Sequence, residues 1–180
     1  ISGKAQHGKD TTAGFIKTAL ESDGYSVLIA HYGDLVKYIC KTFFGWDGQK
    51  DEYGRSLLQR IGTDVIRARD QDYWVRFIGT ILWFFKDEWD YVLIPDCRFP
   101  NEVNYLGDNG FDVIHIRVVR DGFKSPLTIE QQNHPSETAL DDSQPDIYIH
   151  NAGTLNDLRQ TVSEIVTELN GHHQISFDEV

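Results

Sequence analysis

One stretch, Gly3-Lys4-Ala5-Gln6-His7-Gly8-Lys9-Asp10-Thr11, constrains the fold more than any other. It has the spacing of a phosphate-cradling loop: Gly, four residues, Gly-Lys, then a hydroxyl residue. Gly3, Gly8 and Lys9 fit. Asp10 stands where the hydroxyl residue is expected, and Thr11 and Thr12 follow. The glycines let the backbone curl so that amide N–H groups point inward. Those amides and the N-terminus of the next helix bind a phosphate chain. Lys9 would neutralise the β- and γ-phosphates. The competing reading, an unrelated Gly-Lys turn, fits poorly with a loop set between a strand stub and a helix. Two magnesium ligands stay open: the Thr11 hydroxyl, or Asp10 acting through water. His7 is read as shaping the loop or facing solvent, not as a base.

Only Ile1 and Ser2 precede the loop, where a full strand is expected, and the chain has no methionine. The expectation is that residues are missing ahead of the loop. Ile1-Ser2-Gly3-Lys4 has neither the basic nor the apolar region of a secretory leader. No apolar run approaches the ~20 residues needed to span a bilayer. The net charge of −11 argues against binding a nucleic acid polymer, which rewards Lys and Arg for releasing counterions. A small phosphorylated substrate needs only a few local cations. With 180 residues, 40% hydrophobic, the chain suits a single domain with a full core. Its two cysteines, Cys40 and Cys97, suggest a reducing, cytoplasmic setting rather than a disulfide framework.

Hydrophobic periodicity predicts helices over 11–21, 34–44, 55–67, 72–86, 102–109 and 154–169. Short apolar runs predict strands over 26–30, 91–94, 113–119 and 147–149. Strands alternating with helices indicate a parallel sheet covered on both faces. Residues 45–54 read as a polar loop, 121–142 as a lid-like segment, and 171–180 as a disordered tail.

A phosphoryl donor needs an acceptor site. Open parallel sheets bind ligands beyond the carboxyl ends of their strands. The run Tyr91-Val92-Leu93-Ile94-Pro95-Asp96-Cys97-Arg98 therefore nominates Asp96 and Arg98 as catalytic partners of Lys9. Arg98 could grip phosphate with two parallel hydrogen bonds. The bland reading is a strand-end cap with a surface arginine. Arg55, Gln59, Thr63 and Arg67 share one helix face, which is either a solvated face or a ligand wall. Lys37 lies one turn into its helix. Trp74 is either core or a base-stacking platform. Arg117, Arg120, Lys124 and His134 are assigned to the lid, where closure would exclude water. Asn151 and Gly153, in Asn151-Ala152-Gly153-Thr154, follow the last strand. They form an adenine-side loop, or Thr154 is simply a helix cap, or both.

Gly8-Lys9-Asp10-Thr11-Thr12, Leu58-Gln59 with Gly62-Thr63-Asp64, Tyr73-Trp74-Val75, Pro95-Asp96-Cys97-Arg98 with Glu102, and Asn151-Ala152-Gly153-Thr154-Leu155 occur in one order. In that order they resemble the bacteriophage-type deoxynucleoside monophosphate kinases, from Gly3 to about Leu158. The resemblance implies the three-layer P-loop kinase fold and transfer of the ATP γ-phosphate, with magnesium, to a deoxynucleoside monophosphate. It implies ATP contacts at Gly8, Lys9, Asp10, Thr11 and Thr12, beside the Gly3 that the loop pattern already assigns to ATP. It implies acceptor contacts among Lys37, Arg55, Gln59, Thr63, Trp74, Asp96, Arg98 and Glu102, and the shared helix face adds Arg67 as a candidate for the acceptor phosphate. Small nucleotides, and a second copy in a homodimer, are the expected partners, in the host cytoplasm if a phage encodes the chain. The rivals are another small-molecule P-loop kinase, acting on dephospho-coenzyme A or phosphomevalonate, and a nucleotide-binding switch without turnover.

Overall fold

The computed structural model describes residues 1–175. Helix α1 (Lys9–Ser22) leaves the phosphate loop, followed by β1 (Val27–Ile29) and α2 (Gly33–Phe44). Next come α3 (Glu52–Gln59), a π-helical stretch (Arg60–Arg67), α4 (Tyr73–Phe84) and β2 (Tyr91–Leu93). Helix α5 (Pro100–Asp108) and β3 (Ile116–Val119) follow, then two short helices, α6 (Ile129–Gln132) and α7 (Pro135–Thr138). Strand β4 (Ile147–His150) and helix α8 (Leu155–Ile175) complete the order.

Strands β1 and β2 pair in parallel, as do β3 and β4. Ser2 joins the two pairs by bridging in parallel to Cys97 on one side and Arg117 on the other. The strand stub thus lies at the centre of one parallel arrangement, in the order β1, β2, residues 1–2, β3, β4. Ser2 is fully buried, and its hydroxyl meets His115 Nε2 at 2.7 Å. That bond satisfies a polar group which burial would otherwise penalise.

Two apolar cores flank the sheet. One joins α1 and α8 through Ile16, Leu20, Leu158, Val162 and Val166 against Val118 and Ile149. The other gathers α2, α3, the π stretch, α4 and α5 around Val36, Leu57, Ile61, Trp74, Val75, Ile78 and Leu106. This is the α/β/α layering that the alternating pattern predicts. Helix α4 is apolar on both sides. Its outward face shows Tyr73, Phe77, Ile81 and Phe84, all at least partly in solvent.

The boundaries differ from the sequence expectations for local reasons. Helix α5 begins at Pro100, whose missing N–H costs nothing in a first turn. Strand β3 is shorter than expected because the His115 amide is taken by the Asp146 carboxylate, not by a neighbouring strand. The helix expected over 55–67 starts earlier, at Glu52, where the Asp51 side chain caps the Gly54 amide at 2.7 Å. From Arg60 it widens, and the Ala68 amide bonds to the Thr63 carbonyl five residues back. Helix α8 continues through Gly171 to Ile175, where a disordered tail is expected. The rest of that tail, 176–180, lies outside the described residues.

Candidate active site

The phosphate loop is held in a shape that only its own residues permit. Gly3 has φ 140°, and a Cβ there would lie 2.3 Å from the Val118 carbonyl oxygen. Gly8 has φ 99°, and a Cβ would lie 2.5 Å from Asn151 Nδ2. Both are left-handed conformations that favour glycine. Gln6 also takes a positive φ of 61°. The Asn151 amide nitrogen donates to the His7 carbonyl at 3.0 Å, so the loop after β4 braces the phosphate loop.

Beside this loop lies a cavity of about 440 Å³. It collects Lys9 and Asp10 from the loop and Lys37 from α2. Arg55, Gln59, Thr63 and Arg67 line it from α3 and the π stretch, and Trp74 from α4. Asp96, Arg98 and Glu102 come from beyond β2. The four-residue row is therefore a cavity wall rather than a solvated face. The placement of Lys9, Lys37, Asp96, Arg98 and Glu102 follows from topology, because each lies in the chain that leaves a strand at its carboxyl end.

Lys9 is buried and its Nζ donates to the Lys4 carbonyl at 2.9 Å. Burial, and secondly the charge of Arg98, push its ammonium down to about 7. The lysine is thus poised to gain charge when an anion arrives. Asp96 spreads its oxygens over the Tyr32 amide (3.0 Å) and the Gly33 amide (2.8 Å), fixing the turn after β1. Glu102 is 6% exposed and accepts from Arg67, the Arg98 amide and the Phe99 amide. Burial still pushes its carboxyl up to about 7, against the pull of Arg67. Arg67 also bonds Gln71 and Asn101 and stacks over the Phe99 ring at 3.8 Å. Glu102 and Arg67 are hence committed to each other beneath the cavity. Lys37 pairs with Asp34 at 2.7 Å. The Arg55 guanidinium makes no hydrogen bond or ion pair among the described residues.

Trp74 is a core residue that also reaches the cavity wall. Its ring is 3% exposed within the core and also lines the cavity, and its Nε1 donates to the Gly62 carbonyl at 2.9 Å. Gly3, Gly8, Thr11 and Thr12 do not line the cavity, whereas Ala5 and Gln6 do. Thr11 is exposed. Thr12 is fully buried on the inner face of α1, and its Oγ1 is the one buried side-chain polar atom without a partner among the described residues.

The lid assignments need correction. Arg117 belongs to β3, and its guanidinium holds the Leu140 carbonyl and Asp141 from below. Arg120 stacks on Phe123 at 4.7 Å, and Lys124 is exposed, so neither reaches the cavity. His134 caps α7 and touches Asp64 at 3.1 Å, also outside the cavity. The cavity-lining residues of this segment are Leu127, Ser136 and Glu137. After β4, Thr154 and Asp157 bond reciprocally at the start of α8, so Thr154 is a helix cap. Gly153 lies outside the cavity.

Sequence reasoning missed His31, Lys50 and Glu137 in the lining. His31 was findable, since it follows β1 at a carboxyl strand end. It meets Asp10 at 3.4 Å, and that contact raises the imidazole and lowers the carboxyl. Lys50 and Glu137 had no such signal, because their placement depends on how irregular chain packs.

The deoxynucleotide monophosphate kinase family matches residues 46–162, well over half of the chain. This chain belongs to that family. The match holds the wall residues, Trp74, Asp96, Arg98 and the loop after β4. Curated relatives are the deoxynucleotide monophosphate kinases of Enterobacteria phage T4 and Escherichia phage RB69. The first is 37% identical over 106 residues, 58% of this chain and 41% of the relative. The second is 32% identical over 114 residues, 62% of this chain and 44% of the relative. The chain thus spans less than half the length of the curated relatives it matches. Among solved structures, Mycobacterium tuberculosis APS kinase CysC in complex with AMPPNP and APS overlaps 93% of this chain and 94% of its own, at 15% identity and a TM-score of 0.49.

Proposed function

We propose that the chain acts as a deoxynucleoside monophosphate kinase, moving the ATP γ-phosphate to a deoxynucleoside monophosphate to give the diphosphate. One observation carries this reading: the phosphate loop and the cationic wall face each other across a single cavity. Lys9 and the loop amides hold the donor phosphates. Arg98, Arg55 and Lys37 hold the acceptor phosphate. Trp74, with Tyr32 and Val36, gives the acceptor base an apolar side. Asp96 sets the turn that carries His31 and Gly33, and the Glu102–Arg67 pair supports Arg98 from beneath. Transfer of this kind depends on alignment and charge neutralisation, with little covalent help from protein.

Magnesium fits the residues present. Carboxylate and hydroxyl oxygens are the hard donors that it prefers. Asp10 lines the cavity beside Lys9 and Thr11 does not, which favours Asp10 acting through water. The ion would neutralise the donor phosphates. Asn151 supports the loop from the adenine side. No described helix is long and apolar enough to cross a membrane. A cytoplasmic homodimer completes the proposal, with the outward apolar face of α4 as the surface a second copy would cover.

The test is a panel: ATP and magnesium with each deoxynucleoside and ribonucleoside monophosphate, reading ADP. ADP with one or more deoxynucleotides is expected. ADP only with dephospho-coenzyme A or phosphomevalonate would move the chain to another kinase class. Tight ATP binding without ADP from any acceptor would make it a switch. Sedimentation as a monomer would remove the homodimer.

A further inference from the structure

Inward amides of a phosphate loop demand an anion. In this molecule one of them has a carboxylate from the chain itself. The Ala5 amide donates to Glu137 Oε2 at 2.9 Å, and the other oxygen of Glu137 takes the Arg98 guanidinium. The Glu137 side chain is 7% exposed. Its charge is also felt by the Lys9 ammonium. Glu137 therefore sits among three groups assigned above to phosphate: a loop amide, the loop lysine and Arg98.

The rest of the segment is fastened by polar contacts on either side. Gln131 donates to the Glu52 carbonyl (3.2 Å) and to Ser56 Oγ (3.1 Å). Asp141 is shared by Lys4 (3.0 Å) and Arg117 (2.9 Å). Among the described residues, Glu137 is the one residue of the segment that accepts from an amide of the cradle. A phosphate oxygen and a carboxylate repel, and they cannot share the Ala5 amide and Arg98 at close range.

We propose that Glu137 is an internal occupant of the phosphate site, displaced by the ligand's phosphate. Phosphate binding and release of the 121–142 segment are then one exchange: the anion takes the Ala5 amide and Arg98, and Glu137 leaves with its segment. The ligand class is a phosphate chain, and the device sets its affinity. This rests on the cavity being a phosphate site, but not on turnover.

Calorimetry with pyrophosphate and with ATP tests it on the full chain, with Glu137→Ala and Glu137→Gln. Removing the internal competitor should tighten binding by about tenfold in Glu137→Ala, within the range of ordinary coupling. Glu137→Gln keeps the size and loses the charge, so it should fall between wild type and Glu137→Ala. It also serves as the working variant if the alanine protein does not fold. Affinity that is unchanged or weaker in the variants overturns the proposal and makes Glu137 a support for Arg98. Hydrogen exchange gives the second reading. Pyrophosphate should speed exchange over 121–142 in wild type, and the variants should already exchange fast without it. No change in wild type on binding also overturns it. Failure of the acceptor panel with ATP binding intact would defeat the kinase reading alone. Normal turnover with no gain in affinity would defeat the exchange alone.

Discussion

Two sides of the cavity are built by different means. The fixed side comes from the sheet ends: the loop at Gly3–Thr11, Asp96, Arg98 and Glu102. Its groups are tied by strand bridges, buried amides and a carboxylate shared three ways. The other side is the 121–142 segment, with two helices of four residues each. It rests on α3 through the side chain of Gln131 and on the fixed side through those of Glu137 and Asp141, with Leu127 and Leu140 as its buried apolar anchors. The contrast teaches that a site can be preorganised on one side and exchangeable on the other. On the proposed function, binding geometry would come from the first and access from the second.

The contrast breaks first, and hardest, at Glu102. Glu102→Ala leaves Arg67 buried without its counter-charge and should cost about 3–5 kcal/mol of global stability in a denaturant titration. A loss no larger than that of a surface change would mean the fixed side is not held by this pair. Next is Lys9→Ala, which should keep the native circular dichroism but lower kcat about 10²–10³-fold, the usual cost of removing one preorganised charge stabiliser. A near-normal rate would remove Lys9 from catalysis. Gln131→Ala should cost about 0.5–1.5 kcal/mol for each hydrogen bond lost, because its partners Glu52 and Ser56 are exposed and can turn to water. The loss should be local, seen as faster proteolysis within 121–142 with the main unfolding transition little moved. If the whole protein unfolds early instead, the two sides are one unit.

Two smaller effects concern protons. The free Lys9 ammonium sits near 7, and a bound phosphate raises it. Between pH 7 and the ordinary lysine range, ATP binding should therefore take up a proton. Calorimetry in buffers of different ionisation heat reads this directly, and no uptake at pH 8 would contradict it. For Glu102, the folded carboxyl lies above its ordinary 4.5, at about 7. The folded state thus binds that proton more tightly, and stability from this group is lost as pH rises from about 4.5 to about 7. Glu102→Gln should flatten that part of the stability profile relative to wild type.

The fixed side was largely legible in the sequence. Gly3, Gly8, Lys9, Asp96 and Arg98 follow from a loop pattern and from the rule about strand ends, both local signals. The row at Arg55, Gln59, Thr63 and Arg67 was visible as a face, though not as π-helical, because that winding is set by packing against α2 and α4. The partnership of Arg67 with Glu102 was not legible. It depends on an approach between segments far apart in sequence, and both residues also suit a ligand. The 121–142 segment was legible as chain bordering the site, but its cavity-lining residues were not. Arg117, Arg120, Lys124 and His134 were named for charge, and the cavity took Glu137, an anion, instead. Charge complementarity to a substrate is the wrong guide where a segment must also fasten to a cationic cradle.

The position of Ser2 has a consequence for how the molecule comes together. Ile1 and Ile94 are 93 positions apart, and Ser2 and His115 are 113. Both contacts close long loops, whose entropy must be met before the contacts reward it. During synthesis, the cradle's own strand has no neighbours until most of the sheet has left the ribosome. A nucleotide could then act as a late template, rewarding only chains whose central strand has already found its place.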